Sequence, residues 1–481
     1  MSHTGQASYT LPLKLHCQQL LHDFTHFTPC RDTGCDHLRD CVGVEVDTNF
    51  VPSCQDDDSD SPLGASGTHL QPINMPMLEE ILQDHDALTA IRRDIHAHPE
   101  LAFEEKRTSQ FIANELERLG IEIHLGIGST GVVGVVHGRD HGACGRSLGL
   151  RADMDALPMQ ELNTFAHASV HPCTMHGCGH DGHTTMLLGA ARYLANHRDF
   201  DGTVYLIFQP AEEGEHKDHG MRSGGREMVK DGLFERFPME AVFGIHNWPG
   251  APVGTLAIAP GPVLASVNEF DITITGKGTH AASPHLGLDP IPVACQIVQA
   301  FQTIISRNMN PIDTAIITVG QINAGTTTNV IPEQALMAGT VRTFTLEVLD
   351  LIEARMREVT ERIAAAYNMT ATFHFYRALP PTINHEAEAE FVRQVAVDVL
   401  GEPNVIKQEP VMGGEDFSLM LLERPGAFMF LGNGETGDHR ATGHGTGPCT
   451  LHNGSYDFND ELLPIGSNFW VHLAMRWLAR T

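Results

Sequence analysis

Hydrophobic and polar residues follow two alternating patterns from about residue 77 onward. Apolar residues at helical spacing predict amphipathic helices at 78–96 and 105–119, and Gly120 ends the second helix. Short apolar runs predict buried strands at 131–136, 147–152, 203–208 and 241–245. Strands that alternate with helices along a chain indicate an α/β fold, in which helices flank a sheet.

A different pattern begins near residue 263. Alternating polar and apolar residues at 269–276 predict a half-exposed antiparallel strand. Two helices, expected at 290–308 and 346–367, are interleaved with further strands. This order predicts a compact α+β insert, in which helices cover one face of a four-stranded sheet.

Residues 1–75 differ in composition from the rest of the chain. They combine scattered cysteines with an acidic run and little hydrophobic periodicity, which predicts a poorly ordered extension. A small zinc site at Cys30, Cys35, Cys41 and His37 is an alternative, although the spacing fits no common zinc module. We therefore divide the chain into this extension, a main domain in two parts at 76–262 and 379–481, and an insert at 263–378.

The charge balance argues against several classes of function. The chain has 60 acidic and 31 basic residues, and its formal charge of -29 repels nucleic acid and anionic membrane surfaces. No apolar run reaches the roughly 18 residues of a membrane span, and the first residues lack the pattern of a secretory signal. We expect a cytoplasmic protein without nucleic-acid or membrane partners. Because disulfides are rare in that compartment, Cys178 needs another role.

Candidate metal ligands concentrate at 178–183, where a thiol, two imidazoles and a carboxylate occur together. Glycines between them permit turn conformations, and the apolar run that follows predicts a buried helix beginning near Asp181. Cys178 and His180 are spaced to bind one ion, and such ligands suit zinc, manganese, cobalt or nickel better than calcium or magnesium. The alternative is a buried thiol beside polar loop histidines.

Further candidate ligands follow the predicted strands, at the point where each strand ends. These residues are Asp153, Asp155, Glu212, Glu213 and His246. Because open α/β sheets collect their sites at one edge of the sheet, we expect these side chains to meet Cys178 and His180. The repetition at three strand ends favours a metal site over independently buried polar residues.

Eight segments together carry a resemblance to a known family. They lie at 93–101, 151–158, 175–183, 209–214, 244–249, 276–280, 329–333 and 412–417. From about residue 77 to its end, the chain resembles the hippurate hydrolase and indoleacetyl-amino-acid amidohydrolase branch of the aminoacylase/carboxypeptidase metallohydrolases. The resemblance implies a zinc-peptidase-like mixed sheet in a discontinuous catalytic domain. It also implies that the insert is a ferredoxin-like lid or dimerisation domain, and hence that the protein is a homodimer or a higher homo-oligomer.

The resemblance implies an N-acyl-amino-acid amidohydrolase with one or two divalent ions, manganese or zinc being favoured over cobalt or nickel. It assigns the metal ligands to Cys178, His180, Glu213, His246 and His452, and the general base to Glu212. The chemistry supports separate roles for the two glutamates. One carboxylate must hold the metal, while its neighbour takes a proton from water and passes it to the leaving amine.

The insert supplies three further candidate residues through the resemblance. His280 is expected to reach the neighbouring subunit's site and donate to the oxyanion of the tetrahedral intermediate, although an isolated exposed histidine is more often a surface residue. Asn329 is a second candidate donor to the oxyanion or the substrate. Arg342 either grips the substrate's α-carboxylate through a bidentate pair or forms a structural ion pair.

Several polar residues near the candidate ligands are expected to support them. We expect Asp155 to accept a hydrogen bond from a ligating imidazole and fix its tautomer. Asp153 either serves in the same way or caps a helix. For His183 we favour a supporting or packing role over metal binding, and for His96 and His98 a structural role.

The chain departs from the family pattern between Glu213 and His246, where a polar stretch at 215–223 is expected to alter entry to the site. The substrate therefore stays open, and a dipeptidase or an N-acetyl-diaminopimelate deacetylase of the same family is an alternative. A non-catalytic binding homologue is less favoured, because Glu212 would have no chemical purpose in it. A metal-storage or redox-sensing module on the N-terminal cysteines is a third alternative.

Overall fold

The computed structural model describes residues 78–139, 145–216, 221–438 and 440–480. The predicted extension and its cysteine cluster lie outside the described residues. The helices in the described part are α1 (Glu79–Gln83), α2 (His85–Ala97), α3 (Lys106–Arg118), α4 (His180–Asn196), α5 (Gly224–Lys230), α6 (Leu233–Arg236), α7 (Pro290–Arg307), α8 (Leu346–Ala366), α9 (Glu386–Leu400), α10 (Phe417–Glu423) and α11 (Leu462–Leu478).

The strands of the same residues fall into one large sheet, one four-stranded sheet and several short ribbons. They are β1 (Glu122–Ile127), β2 (Gly131–His137), β3 (Ser147–Asp153), β4 (Thr203–Gln209), β5 (Glu215–His216), β6 (Met221–Arg222), β7 (Ala241–Trp248), β8 (Leu256–Ile258), β9 (Gly261–Leu264), β10 (Val267–Thr275), β11 (Thr279–His280), β12 (Ala315–Ala324), β13 (Val330–Ile331), β14 (Gln334–Thr343), β15 (Thr370–Leu379), β16 (Thr382–Asn384), β17 (Val405–Lys407) and β18 (Gly426–Gly432).

The large sheet has the strand order β1-β2-β4-β3-β7-β18-β8-β17. Its central strands β4, β3, β7 and β18 are parallel neighbours, whereas β2 joins β4 in the antiparallel direction. Every residue of β4 and β18 is buried, as expected for strands with helices on both faces. The predicted α/β fold with a mixed sheet is confirmed.

Two hydrophobic cores lie on opposite faces of this sheet. Successive residues of β4 divide between them, because side chains alternate along a strand. Leu206 joins the core that contains Leu187 of α4 and Trp470 of α11. Ile207 joins the core that contains Phe417 of α10. The sheet is thus the middle layer of three, which leaves its edge at the strand ends for polar side chains.

The four-stranded sheet has the order β12-β14-β10-β15, and its neighbouring strands are all antiparallel. Alternate residues of β10 are buried, including Phe270, Ile272 and Ile274. These side chains pack against Phe301 of α7 and Ile352 of α8 in one hydrophobic core. The sequence had predicted this arrangement of four strands with two helices on one face.

Two details of the sequence prediction were wrong. The helix expected at 78–96 is divided into α1 and α2 at Asp84, a residue type that helix interiors disfavour. Strand β1 was not predicted, because it lies at the sheet edge and only Ile127 of its six residues is buried. No helix of the described part of the chain is long and apolar enough to cross a membrane.

Candidate metal centre and active site

The ends of three central strands and one loop bring the candidate donors together at the carboxyl edge of the large sheet. Asp153 ends β3, the two glutamates follow β4, His246 lies near the end of β7, and His180 begins α4. Parallel neighbours place their carboxyl ends at the same edge, where open α/β sheets form their sites. His452 joins them from a loop, and its backbone N–H donates to the carbonyl oxygen of Gly177 at 2.8 Å.

The loop that carries Cys178 is fixed by contacts that only a glycine permits. Gly179 has a φ of 92°, and a Cβ there would lie 2.2 Å from Asn247 Nδ2 and 2.5 Å from Tyr456 Oη. Asn247 Nδ2 donates to the carbonyl oxygen of Cys178 at 2.7 Å, and Tyr456 Oη donates to Asn247 Oδ1 at 2.8 Å. These bonds hold the thiol at the strand edge.

Both candidate imidazole ligands in the buried centre are oriented through Nδ1. His180 Nδ1 lies 2.9 Å from the carbonyl oxygen of Asp155 and 3.1 Å from its Oδ1. His246 Nδ1 lies 2.7 Å from the carbonyl oxygen of Asn247. A proton on Nδ1 leaves Nε2 as the acceptor, which is the form of histidine that binds metals. Among the described residues, the buried His180 Nε2 has no hydrogen-bond partner.

The remaining donors complete two triads that share Cys178. Its Sγ lies 3.3 Å from His246 Nε2, and the donor atoms of Cys178, His180 and His246 all lie within 4.8 Å of one another. The same limit holds for Cys178, Glu213 and His452. Glu213 Oε1 lies 3.1 Å from His452 Nε2, yet within the described structure it makes no hydrogen bond.

The chemistry of this donor set fits a divalent cation. Burial raises the pKa of the Cys178 thiol, so its thiolate is favoured only when positive charge lies beside it. The buried Nε2 of His180 has no hydrogen bond among the described residues, whereas buried polar groups normally have one. A thiolate, imidazoles and a carboxylate together suit zinc, manganese, cobalt or nickel.

Backbone strain positions two of the residues. Ala211 and His452 have φ values of 49° and 59°, a region that residues other than glycine occupy at a cost of about 1–3 kcal/mol. The turn at Ala211 is stabilised by its N–H, which donates to Glu105 Oε1 at 2.8 Å. This turn directs Glu212 and Glu213 to different positions in the site.

Glu212 lines the cavity beside the donors, with its Oε2 4.0 Å from His180 Nε2. Burial raises its pKa well above the usual range, and the neighbouring carboxylates Glu415, Glu213 and Asp416 raise it further. A raised pKa makes a carboxylate a stronger base, and a cation at the adjacent donors would lower that pKa again and keep the carboxylate ionised. Glu212 therefore has the environment of a general base.

The cavity next to the donors has a volume of about 400 Å³. Arg342 is half-buried and lines it, whereas His280 and Asn329 are exposed and are not among its described lining residues. His280 ends β11 and Asn329 directly precedes β13 at the same end of this ribbon, where the N–H of Ala281 donates to the carbonyl oxygen of Asn329 at 3.0 Å. The structure thus brings Arg342, but neither His280 nor Asn329, to the donors of its own chain.

Asp153 and His183 form a pair behind the donors. Asp153 Oδ1 lies 2.6 Å from His183 Nδ1, and His183 Nε2 accepts from the N–H of Asn247 at 2.8 Å. Both ring nitrogens of His183 are therefore engaged by protein groups. The side chain of Asp153 also accepts from Arg151 Nη1 at 2.6 Å.

His96 and His98 lie apart from the donors. His96 is buried, with Nδ1 2.8 Å from Asp181 Oδ2 and Nε2 3.2 Å from Glu161 Oε1. His98 is half-buried, and its Nδ1 lies 2.8 Å from the carbonyl oxygen of Asp94. All three contacts are with protein groups that are not candidate donors.

Sequence reasoning missed the role of three buried charged residues. Arg151 donates to Glu415 Oε1 at 3.0 Å and to Asp416 Oδ1 at 3.3 Å, and Glu415 also lines the cavity. A signal was present, because Arg151 interrupts an apolar strand and a buried arginine must be paired. Two of its partners, Glu415 and Asp416, however, lie 264 and 265 residues away in the chain.

Comparisons with known proteins agree with this geometry. The family model described as Peptidase family M20/M25/M40 matches residues 149–476. The chain is 42% identical over 369 residues to N-acetyl-L-cysteine deacetylase of Bacillus subtilis (strain 168), covering 76% of this chain and 83% of that protein. It is 36% identical over 405 residues to hippurate hydrolase of Campylobacter jejuni, covering 84% of this chain and 100% of that protein.

Among solved structures, the Bacillus subtilis YXEP protein is described as a dinuclear metal binding peptidase from the M20 family. It matches with a TM-score of 0.70 and 35% sequence identity, covering 83% of this chain and 99% of that chain. The resemblance drawn from the sequence motifs is confirmed, and with it the prediction of a hydrolase that acts on amides. The chain belongs to peptidase family M20/M25/M40.

Proposed function

We propose that the protein hydrolyses the amide bond of N-acyl-amino acids and releases a carboxylate and a free amino acid. One observation carries this proposal. A cluster of five metal-ligand side chains adjoins Glu212, a buried carboxylate with a raised pKa, at a cavity of about 400 Å³. That volume suits a small acylated amino acid, and pockets of this size bind small molecules in many proteins.

The two donor triads would hold two divalent ions, and Cys178 belongs to both triads. In this proposal His180 and His246 complete one site, and Glu213 and His452 complete the other. Manganese or zinc fits the mixed sulfur, nitrogen and oxygen donors best. A bound ion polarises the scissile carbonyl and lowers the pKa of water.

Three residues around the ions then have separate roles in proton transfer, substrate orientation and ligand orientation. Glu212 takes a proton from the attacking water and passes it to the nitrogen of the leaving amine. Arg342 pairs with the α-carboxylate of the substrate and sets its orientation. Asp155 holds His180 through Nδ1 and keeps Nε2 free for binding.

We assign the unit at 263–378 to a lid and dimerisation domain. His280 and Asn329 lie together on an exposed ribbon and do not line the described cavity of their own chain. This placement supports a homodimer in which each subunit supplies these two side chains to the other's oxyanion. We propose the cytoplasm as the location, where the Cys178 thiol stays reduced.

The test is turnover of a small substrate panel by metal-depleted protein after manganese, zinc, cobalt or nickel is added back. The panel contains hippurate, N-acetyl-methionine, N-acetyl-cysteine, indoleacetyl-aspartate and a dipeptide. Adjacent glutamates provide a matched pair of variants. Glu212→Gln should bind metal normally but lose turnover by about 10²–10⁴-fold, whereas Glu213→Gln should lose metal as well.

Full turnover by Glu212→Gln would reject its role as general base. Preference for the dipeptide over every acylated amino acid would favour the dipeptidase alternative. Stoichiometric metal binding without turnover of any panel member would support the non-catalytic homologue.

A further inference from the structure

The cavity has two apolar walls that belong to different parts of the fold. The aromatic wall consists of Trp248, Leu264, Val411, Phe428 and Phe430, which pack together in a core of the large sheet. The second wall consists of Met221, Val267 and Leu379, which form a small separate cluster with Ala378 and Leu419. A substrate in the cavity therefore meets two distinct apolar surfaces.

The second wall lies on the side of Arg342. A Cβ on Gly414 would lie 2.1 Å from Val267 Cγ2 and 3.3 Å from Arg342 Nη1, so both side chains border the same glycine. Strand β10, which begins at Val267, also runs between β14 and β15, the strands that carry Arg342 and Leu379. The guanidinium and the second wall thus share one end of the cavity.

Met221 reaches this wall from the other half of the fold. It lies on β6, which pairs with β5 directly after the glutamates at 212–213. The carbon at the centre of the Arg222 guanidinium lies 3.7 Å from the centroid of the Phe103 ring, which anchors β6 to the large-sheet side. Gly214 has a φ of 70°, and a Cβ there would lie 2.5 Å from Met221 Cε. The methionine side chain is therefore held against the cavity.

We infer that Met221 is a specificity-determining residue for the amino-acid side chain of the substrate. The inference rests on the proposed function, which places the substrate's α-carboxylate at Arg342 and its amide at the metal donors. The α-carbon then lies between these two groups, its side chain faces Met221, and the acyl group extends toward the aromatic wall. A flexible thioether adapts to unbranched apolar groups, and its bulk limits larger ones.

The test uses two substrate series and the variants Met221→Ala and Met221→Trp. One series keeps the acetyl group and varies the amino acid through glycine, alanine, methionine and phenylalanine. The other keeps methionine and varies the acyl group through acetyl, benzoyl and indoleacetyl. Met221→Ala should raise kcat/KM for N-acetyl-phenylalanine relative to N-acetyl-alanine by about tenfold, the scale of one or two methylenes in a pocket. Met221→Trp should instead lower kcat/KM for N-acetyl-phenylalanine relative to N-acetyl-alanine.

The acyl series should keep its ranking in both variants. Met475→Ala is the matched control, because Met475 of α11 is also half-buried but packs against the core on the other face of the large sheet and is not among the described residues that line the cavity. Equal changes for all amino acids, or a change in acyl ranking instead, would overturn the inference.

A calorimetric measurement separates this inference from the proposed function. If the wild type hydrolyses no acylated amino acid of the panel above or of either series, the proposed function fails. The dissociation constants of the N-acetyl-amino acids for metal-loaded wild type and Met221→Ala then decide the inference. The inference is supported if Met221→Ala binds N-acetyl-phenylalanine more tightly, relative to N-acetyl-alanine, than the wild type does. An unchanged ratio, or no binding to either protein, rejects it.

Discussion

Two buried clusters of charged and imidazole side chains lie next to each other along α4, and their polar atoms are satisfied differently. The donor cluster includes His180, the first residue of the helix, and the neighbouring salt-bridge network includes Asp181. In the network, Asp181 contacts His96 at 2.8 Å, and Arg92 donates to Asp457 at 3.0 Å and Asp460 at 2.6 Å. Its charges are matched by groups of the protein itself.

In the donor cluster, two polar atoms lack hydrogen-bond partners of this kind. His180 Nε2 and Glu213 Oε1 are without hydrogen bonds in the described part of the chain, and the Cys178 thiol is buried. Burying polar atoms without partners costs free energy, and a cation bound at these donors would offset that cost. In the network, too, Asp181 Oδ1 and Arg92 Nη2 lack hydrogen bonds, although Arg92 Nη1 lies 3.8 Å from Asp181 Oδ2 and Arg92 Nη2 lies 2.6 Å from Asp460 Oδ1. Burial and unbonded polar atoms thus occur in both clusters, and the donor cluster is distinguished by a thiol, imidazoles and a carboxylate whose donor atoms converge in triads within 4.8 Å of one another.

The largest effect should follow removal of a shared donor. Cys178→Ser is expected to lose bound metal and to lower turnover by more than about 10³-fold, because the oxygen is a poorer ligand for both triads. Metal content by mass spectrometry and initial rates measure this. Cys449→Ser is the matched control, since Cys449 is also buried but its Sγ donates to the carbonyl oxygen of Asp457 at 3.4 Å. Normal metal content in Cys178→Ser would contradict the ligand assignment.

A second prediction addresses the network. Arg92→Met should lower the free energy of unfolding by about 3–5 kcal/mol, because it leaves buried carboxylates without their cation. The neighbouring Arg93 is 47% exposed and contacts the same Asp460 at 2.9 Å, so Arg93→Met should cost less than about 1 kcal/mol. Urea unfolding of the two variants, with metal content checked on the folded proteins, tests the contrast. Equal losses of unfolding free energy in the two variants would mean that burial does not determine how strongly these ion pairs stabilise the fold.

The sequence predicted the donor cluster better than the network, for a physical reason. Donors such as Glu213 and His246 follow apolar strands, and a parallel sheet gathers its carboxyl ends at one edge. His452 follows no strand or helix, so only the family resemblance pointed to it. The network offered no local signal, because Arg92 and Asp457 are 365 residues apart in the chain.

The shape of the cavity could not be predicted from the sequence either. Met221 belongs to a polar stretch without hydrophobic periodicity, and its place in the wall depends on pairing between β5 and β6. Glu415 and Arg151 became partners only through the packing of two distant segments. Local patterns predict helices and strands, whereas pairs of this kind depend on the complete fold.

A third prediction uses pH to isolate one group of the network. Burial alone would lower the pKa of His96, but the charge of Asp181 and hydrogen bonds to Asp181 and Glu161 raise it to about 10. Its stabilising effect is therefore complete below about pH 6.5, the unfolded value, and is lost as the pH rises through 10. Between pH 7 and 9 the wild type should lose roughly 3 kcal/mol of unfolding free energy through this group, at about 1.4 kcal/mol per unit.

The variant His96→Gln should lack this part of the pH dependence, which urea unfolding at several pH values measures. His98→Gln serves as control, since His98 is partly exposed and contacts a backbone carbonyl. Parallel pH profiles for the wild type and His96→Gln would show that the imidazolium is not held by the network.

The smallest effect on metal binding should come from Asp155, which is not a candidate ligand but orients two of the donors. Asp155 accepts from His180 Nδ1, and its Oδ2 accepts from the N–H of Glu213 at 3.0 Å. Asp155→Asn keeps the shape but loses the charge, so metal affinity should fall about 10–100-fold while the donors stay in place. Competition with a chromophoric chelator measures the change. Asp289→Asn, at the N-cap of α7, is an isosteric control with no contact to the site. If Asp155→Asn binds metal as tightly as this control, the fold alone holds the donors in place, and the Asp155 carboxylate contributes nothing to metal affinity.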